Sequence, residues 1–331
     1  MKQKKVAVLG ATGAVGREML KVLEEKDFPV SELVALGSRR SAGSKIRFRG
    51  EEIEVREGDK NAFAGADIVL GAAANAHAKA FAPFIREAGA VFVDNSSAFR
   101  MEKDVPLVVP EINPGDVKLH KGILSNPNCS TIIALVAINA INRLSPINSM
   151  IASTYQAVSG AGAGGTAELE AQMRAWAEGK PMESAVFPYQ IAFNLIPQIG
   201  DFSESGYTSE EMKMQFEGRK IMHLPQLNVS CTCVRVPVWR SHSISLTLIT
   251  EERLDIARVR AAVENAPGCR LVDDSASKRY PMPLETSDQD LVFVGRIRRD
   301  LTSENGISLW CCGDQIRKGA ATNAIQIAEL L

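Results

Sequence analysis

The chain has 331 residues, 45% hydrophobic and 23% charged, a length and balance that fit two domains or one large α/β unit of ordinary globular type. Its 38 Lys and Arg nearly cancel 39 Asp and Glu, so bulk charge argues against a nucleic-acid or membrane-surface binder. Any anionic ligand must be held by locally placed Arg and Lys.

The six cysteines (Cys129, Cys231, Cys233, Cys269, Cys311, Cys312) form no CxxC pair and no regular framework. That pattern predicts neither a metal site nor a disulfide scaffold, and a reducing, cytoplasmic setting. No apolar run approaches the ~20 residues needed to span a bilayer. The opening "MKQKKVAVLG" has the basic-then-apolar order of a secretory signal, but it runs into glycines and the charged "REMLKVLEEK". It reads as a buried strand and a helix.

In chain order, "VAVLG" predicts the first strand, and a helix follows with Val15, Met19, Val22 and Leu23 on one face. "LVALGS" predicts a second strand. "ADIVLGAA" leads into the helical "NAHAKAFAPFIREAG", and "AVFVDNSS" is a further strand. Such βαβ alternation implies a parallel sheet covered by helices. After Cys129, residues 130–142 read as a helix and "SMIASTYQAVSG" as a strand ending at a glycine-rich turn. "TAELEAQMRAWAEG" and "SEEMKMQFEGRKIMH" are helical, separated by an irregular stretch, 181–208, rich in Pro, Phe and Tyr. "VSCTCVRVPVW" and "HSISLTLITEE" read as strands of a mixed or antiparallel sheet, and "KGAATNAIQIAELL" as a closing helix.

Between the first strand and helix, "GATGAVG" holds Gly10, Gly13 and Gly16. Glycines let a backbone turn tightly against a pyrophosphate, and a helix N-terminus offers N–H groups to it. The spacing is GxxGxxG rather than GxGxxG, so the strand–loop–helix context carries the dinucleotide reading against that of an ordinary glycine turn. After the second strand stand Ser38, Arg39, Arg40 and Ser41, where an NAD site usually has an acid. Guanidiniums and hydroxyls suit a 2′-phosphate, which favours NADP(H); the alternative is a solvated basic turn.

Cys129 sits in "SNPNCSTIIALV", after a polar, proline-containing bracket and directly ahead of a helix. A thiol there gains thiolate character, and nearby N–H groups can face an oxyanion; the alternative is a packed core cysteine. His242, in "WRSHSISL", is the foremost of four histidines as an acid/base partner. Arg235 interrupts an apolar strand and calls for an anion, either a substrate carboxylate or a structural partner. Glu210 and Lys213 lie three apart on one helix face, which by itself reads as a solvated pair.

Together with "VDNSSAFR", "PLVVPEIN", "AFNLIPQI", "FVGRIRRD" and the segments already quoted, these motifs resemble the aspartate-β-semialdehyde dehydrogenase family over almost the whole chain. The resemblance implies an α/β fold: a Rossmann-type dinucleotide-binding domain plus an α+β catalytic and dimerisation domain of glyceraldehyde-3-phosphate dehydrogenase-like type. The expected bounds are 1–128, completed by a C-terminal helix at 314–331, and 129–313. It also implies NADPH-dependent reductive dephosphorylation of L-aspartyl-4-phosphate to L-aspartate-4-semialdehyde, serving lysine, methionine and threonine biosynthesis. Partners would be the small-molecule substrate and a second copy of the chain, as homodimer or tetramer, without nucleic acid or membrane. By similarity, Cys129 is the nucleophile, His242 the acid/base and Gln156 the residue orienting substrate. Arg235 and Glu210 would hold the carboxylate and amino groups, and Arg100, Asn128 and Lys213 the phosphate. Gly10, Thr12, Gly13, Ala14, Val15, Ser38, Arg40, Ser41, Ser159, Gly160 and Gln315 would meet the cofactor. One departure is Ala72, Ala73, Ala74 and Asn75, where the family often has Ser-Ala-Gly-like residues. Two alternatives stand beside this reading. One is an N-acetyl-γ-glutamyl-phosphate reductase, whose acetylated substrate has no free amino group for Glu210. The other is an inactive NADP-binding relative.

Overall fold

A computed structural model describes residues 2–331, which divide into two units, one of residues 2–128 with Ala320–Leu331, and the other Cys129–Gly319. In the first unit the chain runs β1 (Lys4–Leu9), α1 (Ala14–Glu25), β2 (Val30–Gly37), β3 (Lys45–Phe48), β4 (Glu51–Glu54), β5 (Arg56–Glu57), β6 (Ile68–Gly71), α2 (Asn75–Glu87), β7 (Val91–Asp94) and β8 (Ile123–Ser125). Six of these strands form one sheet in the order β5-β2-β1-β6-β7-β8, every pair parallel. Val6, Ala7 and Val8 on β1 are fully buried because helices cover both faces of a parallel sheet. Met19, Val22 and Leu23 of α1 pack into one of the two cores, together with Ala324, Ile325 and Ile327 of the C-terminal helix Thr322–Ala328. β3 and β4 make a separate antiparallel hairpin that the sequence pattern did not reveal.

The C-terminal segment joins this unit only from Ala320, later than the expected 314. The stretch Arg317–Ala321 is a π-turn rather than the start of a regular helix. Asn323 ties the segment in, its Nδ2 donating to Val108 O at 3.0 Å and to Asn126 Oδ1 at 2.7 Å.

The second unit opens with α3 (Cys129–Asn142), apolar on all sides and buried along nearly its whole length. There follow β9 (Ile147–Gln156), α4 (Ala163–Ala177), α5 (Ser209–Met222), β10 (Asn228–Arg235), β11 (His242–Thr250), α6 (Ile256–Glu264), β12 (Cys269–Leu271), α7 (Pro283–Thr286), β13 (Val292–Arg299) and β14 (Gly306–Gly313). The strands form a mixed sheet, order β10-β9-β11-β14-β13-β12. β10 runs parallel to β9, while β11 is antiparallel to both β9 and β14. β10 stops at Arg235, two residues short of Pro237, which has no N–H to offer a ladder. On β9, Met150, Ala152, Thr154 and Gln156 point inward, while Ile151 is 58% and Tyr155 36% exposed. α5 begins with a capping box: Thr208 Oγ1 accepts from Glu211 N and Glu211 Oε2 accepts from Thr208 N at 2.7 Å.

No described helix is long and apolar enough to cross a membrane.

Candidate active site

At the carboxyl ends of β1 and β2 the first unit has a cavity of about 520 Å³, within the range of small-molecule sites. Gly10, Thr12 and Gly13 line one part of it, and Ser38, Arg39 and Glu57 another. Ala72, Ala73, Ala74, His77 and Phe81 complete the wall. The position between β1 and β6 is the topological switch point, where open α/β sheets bind ligands. Gly10 has φ +89°, and a Cβ there would stand 2.5 Å from Ala72 O. A Cβ on Gly16 would stand 2.1 Å from Gly10 O, so only glycine lets α1 start this close to the loop. Gly13 caps α1 without a side-chain hydrogen bond, which leaves its first N–H groups, from Ala14 and Val15 onward, for another acceptor. The cavity, the glycine cradle and the open helix start fit a dinucleotide.

The expected 2′-phosphate residues are placed unequally. Ser38 and Arg39 line the cavity, whereas Arg40 is exposed and outside its lining. Ser41 Oγ donates to Ser38 O at 3.0 Å, closing the turn. Glu57, which the sequence reading did not single out, is the acid of this wall, brought there by β5 pairing with the end of β2.

Also in the first unit, Arg100 is buried, donating from Nε to Asn126 O at 3.0 Å and from Nη2 to Asn95 O at 2.9 Å. Asn128, likewise buried, immediately precedes Cys129.

In the second unit, Cys129 is the first residue of α3 and is partly exposed, unlike the other five cysteines. A Cβ on Gly319 would stand 2.8 Å from Cys129 Cβ, so glycine is required where the π-turn passes the thiol. Cys129 Sγ lies 3.5 Å from Nε2 of His242, the first residue of β11. His242 Nδ1 accepts the Ala157 N–H at 3.1 Å. A backbone N–H can only donate, so Nδ1 is bare and the neutral ring carries its proton on Nε2. Burial first, and then the neighbouring Arg235 charge, push the imidazole down to about 3, against the opposing charge of Glu210.

Gln156, at the end of β9, donates from Nε2 to Ser130 Oγ at 2.6 Å and to Glu210 Oε1 at 3.2 Å. Both amide hydrogens are thereby engaged. Glu210 Oε2 accepts from Lys213 Nζ at 2.8 Å, so the pair expected as a solvated face belongs to the same network as Gln156. Arg235, at the end of β10, donates from Nη1 to Ala157 O at 2.7 Å, and its guanidinium lies 5.7 Å from the centre of the Phe187 ring. Burial lowers the basicity of Arg235, while the charges of Cys129 and Glu210 act against that. A Cβ on Gly160 would be 2.9 Å from Arg235 Nη1 and 3.1 Å from His242 Cε1. Cys129, Gln156, Glu210, Lys213, Arg235 and His242 therefore form one connected group. Ser159 and Gln315 are bonded to each other, and Gln315 Oε1 accepts from Ser241 N at 2.9 Å, beside His242.

Sequence reasoning missed several supports. Ser130 and the backbone of Ala157 had no signal beyond adjacency to Cys129 and Gln156. Phe187 belongs to the irregular stretch, which is ordered by Glu168 and Gln172 of α4. Glu168 accepts N–H groups from Ala185 at 2.8 Å and Phe187 at 3.4 Å, as well as from Val186. Gln172 Oε1 accepts from Ile191 and Ala192 at 3.0 and 2.9 Å. Among the described residues no group of His, Cys, Asp and Glu is placed to hold a metal ion.

Two family models match the chain. Residues 5–120 match the family model "Semialdehyde dehydrogenase, NAD binding domain", and residues 139–318 match "Semialdehyde dehydrogenase, dimerisation domain". Aspartate-semialdehyde dehydrogenase of Aquifex aeolicus (strain VF5) is 52% identical over 99% of this chain and 97% of its own. A crystal structure of aspartate semialdehyde dehydrogenase II from Vibrio cholerae, complexed with ASA, is 43% identical. It superposes with a TM-score of 0.96, covering 100% of this chain and 98% of that one. The Candida albicans enzyme, crystallised with NADP, gives a TM-score of 0.77 at 26% identity, covering 100% and 98%. On this evidence the chain belongs to the aspartate-semialdehyde dehydrogenase family.

Proposed function

We propose that the chain reduces L-aspartyl-4-phosphate to L-aspartate-4-semialdehyde and phosphate, with NADPH as reductant. The observation that carries this reading is the group around Cys129: a thiol at a helix start, 3.5 Å from a histidine, beside a buried arginine and a Gln–Glu–Lys network. Cys129 sulfur attacks the acyl carbon, the C–O bond to phosphate breaks, and a thioester remains on Cys129. NADPH, when bound, supplies hydride. Collapse of the reduced tetrahedral adduct breaks the C–S bond, releasing the aldehyde and restoring the thiolate. His242 presents Nε2 to the sulfur and to the oxygen of whatever is built on it. Arg235 holds the substrate carboxylate and Glu210 its ammonium, with Gln156 fixing the angle between Glu210 and the thiol. Arg100, Asn128 and Lys213 receive the phosphate.

For the cofactor, Gly10, Thr12, Gly13, Ala14 and Val15 take the pyrophosphate, and Ser38, Arg39, Arg40 and Ser41 the 2′-phosphate. Ser159, Gly160 and Gln315 serve the nicotinamide end. The active form is a homodimer, or a tetramer built from it, joined through the outer face of the second sheet. Ile151 and Tyr155 are exposed there, and the Tyr155 ring lies 5.4 Å from that of Trp310. Such uncovered apolar area on a sheet is unusual for a monomer. The name of the matching family model for 139–318 supports the same reading.

The test is phosphate-dependent reduction of NADP by two aldehydes in parallel. Aspartate semialdehyde should be turned over and N-acetylglutamate semialdehyde should not. The reverse preference, or NADP reduction that ignores phosphate, would remove the assignment.

A further inference from the structure

Three stretches of the second unit, distant in sequence, meet at one buried carboxylate: the start of β11, the loop after α7 and the turn that follows β14. Asp314, directly after β14, is fully buried. Its Oδ1 accepts from Ile316 N at 2.8 Å and Arg317 N at 3.0 Å, and its main-chain O accepts from Gly319 N at 2.9 Å. Its Oδ2 accepts from Asp288 N at 2.7 Å and forms an ion pair with Arg240 Nε at 2.5 Å. A buried carboxylate is held in this way only where donors surround it, so the chain has built a rigid clamp here. Gln315 stands inside the clamp. Its Oε1 accepts from Ser241 N at 2.9 Å and its Nε2 donates to Ser159 Oγ. Ser241 is fully buried with φ +73°, a left-handed backbone that a residue other than glycine keeps only when its surroundings impose it. Gln315 imposes it from one side, and Thr286, whose Oγ1 lies 2.6 Å from Ser241 Oγ, from the other. His242 follows at once and pairs with Gly313, the residue before Asp314. Farther along the same turn, Gly319 passes against Cys129.

We propose that Asp314 is a positioning residue for the reaction: by clamping the turn after β14 to Arg240 and Asp288, it fixes Gln315, and through Gln315 the strained turn at Ser241 that leads into the site. The proposal rests on the function above and deepens it. Asp314 acts through these neighbours and meets no reacting atom itself. Arg235 and Glu210, which hold the substrate, stand on β10 and α5, away from the segments that the carboxylate clamps. A looser clamp therefore slows the chemical step and spares substrate binding. The same turn carries a second ion pair that serves as a comparison. Arg317 donates from Nε to Asp290 Oδ1 at 2.8 Å and from Nη2 to Oδ2 at 3.0 Å, at the rim, where the Asp290 side chain is 38% exposed. That pair joins two side chains, whereas Asp314 holds main-chain N–H groups on either side of Gln315's partner, Ser241.

The experiment uses the full chain with Asp314→Asn, which keeps the size of the side chain. Both oxygens of Asp314 face donors, so either orientation of the amide sets its NH₂ against an N–H and opens the clamp on that side. Amide hydrogen exchange at Ser241, read by mass spectrometry without substrate or cofactor, should become about tenfold faster. In steady-state kinetics kcat should fall about tenfold, while KM for aspartate semialdehyde stays within about twofold. Asp290→Asn should lower the melting temperature by about 2–4 °C yet leave kcat within about twofold of wild type. Wild-type kcat in Asp314→Asn overturns the proposal, and so does a loss of kcat in Asp290→Asn as large as that in Asp314→Asn, since any loosening of the turn would then suffice. If Asp314→Asn does not fold, Arg240→Gln opens the clamp from its partly exposed side and should give the same pattern at about threefold. Wild-type exchange at Ser241 with wild-type kcat in that chain overturns the proposal. A wild-type chain inactive on aspartate semialdehyde would remove the function and leave the exchange result standing, so the two failures are distinguishable.

Discussion

Gly160→Ala isolates the geometry of the site from its chemistry. Gly160 lies in the short 3₁₀ turn Val158–Ala161 and its φ is not positive, so alanine is allowed by the backbone. The added Cβ would lie 2.9 Å from Arg235 Nη1 and 3.1 Å from His242 Cε1. Ordinary contact distance is about 3.5 Å, so the overlaps are about 0.6 and about 0.4 Å. Neither neighbour retreats freely. Arg235 is bonded to Ala157 O at 2.7 Å, and the His242 ring is fully buried with Nδ1 bonded to Ala157 N. Both must move by roughly half an ångström. A misplacement of ~1 Å at a reacting group costs about 10²-fold, so the expected loss in kcat/KM is roughly tenfold, or about 1.4 kcal/mol of transition-state stabilisation. The assay is steady-state kinetics with aspartate semialdehyde alongside thermal unfolding, which should move by no more than about 2 °C. Wild-type kinetics would refute the packing argument. A rise in KM for NADP alone, with kcat intact, would make Gly160 a cofactor contact and nothing more.

Acid stability should report His242. Above pH 6.5 both folded and unfolded chains hold it neutral; between 6.5 and about 3 only the unfolded chain takes the proton. Its contribution to stability is therefore lost as pH falls through that window, by up to about 1.4 kcal/mol per unit, and a His242→Gln chain with an unchanged slope in chemical denaturation would contradict the assignment. Glu168→Ala removes the acceptor of three backbone N–H groups and should lower unfolding free energy by about 2–4 kcal/mol; a change below about 0.5 in urea titration would mean that water replaces the carboxylate. Arg40→Ala should weaken NADP binding more than NAD binding in calorimetry, whereas Glu57→Gln should tighten NADP about fivefold by removing a like charge worth roughly 1 kcal/mol. Equal effects on both cofactors would place neither residue at the 2′-phosphate.

The parallel sheet of the first unit was legible because its strands are buried on both faces and stand as unbroken apolar runs, such as residues 6–9 and 68–70. The short hairpin of β3 and β4 was not. Its pattern, Lys45 to Glu54, is mostly charged and exposed, and antiparallel pairing rather than burial holds it. The far half of the second sheet was also hard to read. "RIRRD" interrupts the apolar run of β13, whose pairing with β14 shifts register between Gly295 and Arg298. The start of the last helix was misplaced because "KGAATN" reads as ordinary helix while its first residues form a π-turn. Local propensity does not distinguish the two, and close passage of Gly319 past Cys129 does.

Side chains of the site were legible in proportion to how odd they look in their own segment. Cys129 in a polar bracket and Arg235 in an apolar strand both stand out, because a reactive or buried charged group contradicts local pattern. Glu210 and Lys213 look like any surface pair, and only the fold joins them to Gln156. Ala157 could not be read at all, since its contribution is an N–H and a C=O that every residue but proline owns. What gives that backbone its meaning is the end of a strand: β9 finishes at Gln156, so the main-chain groups of Ala157 are released from the ladder toward β10 and β11. One goes to the histidine and one to the arginine. A substitution at Ala157 would therefore test side-chain packing only. The orientation of the site rests on where the strand ends, and that is set by hydrogen-bond registers with β10 and β11 formed from residues about 80 to 100 positions away in sequence.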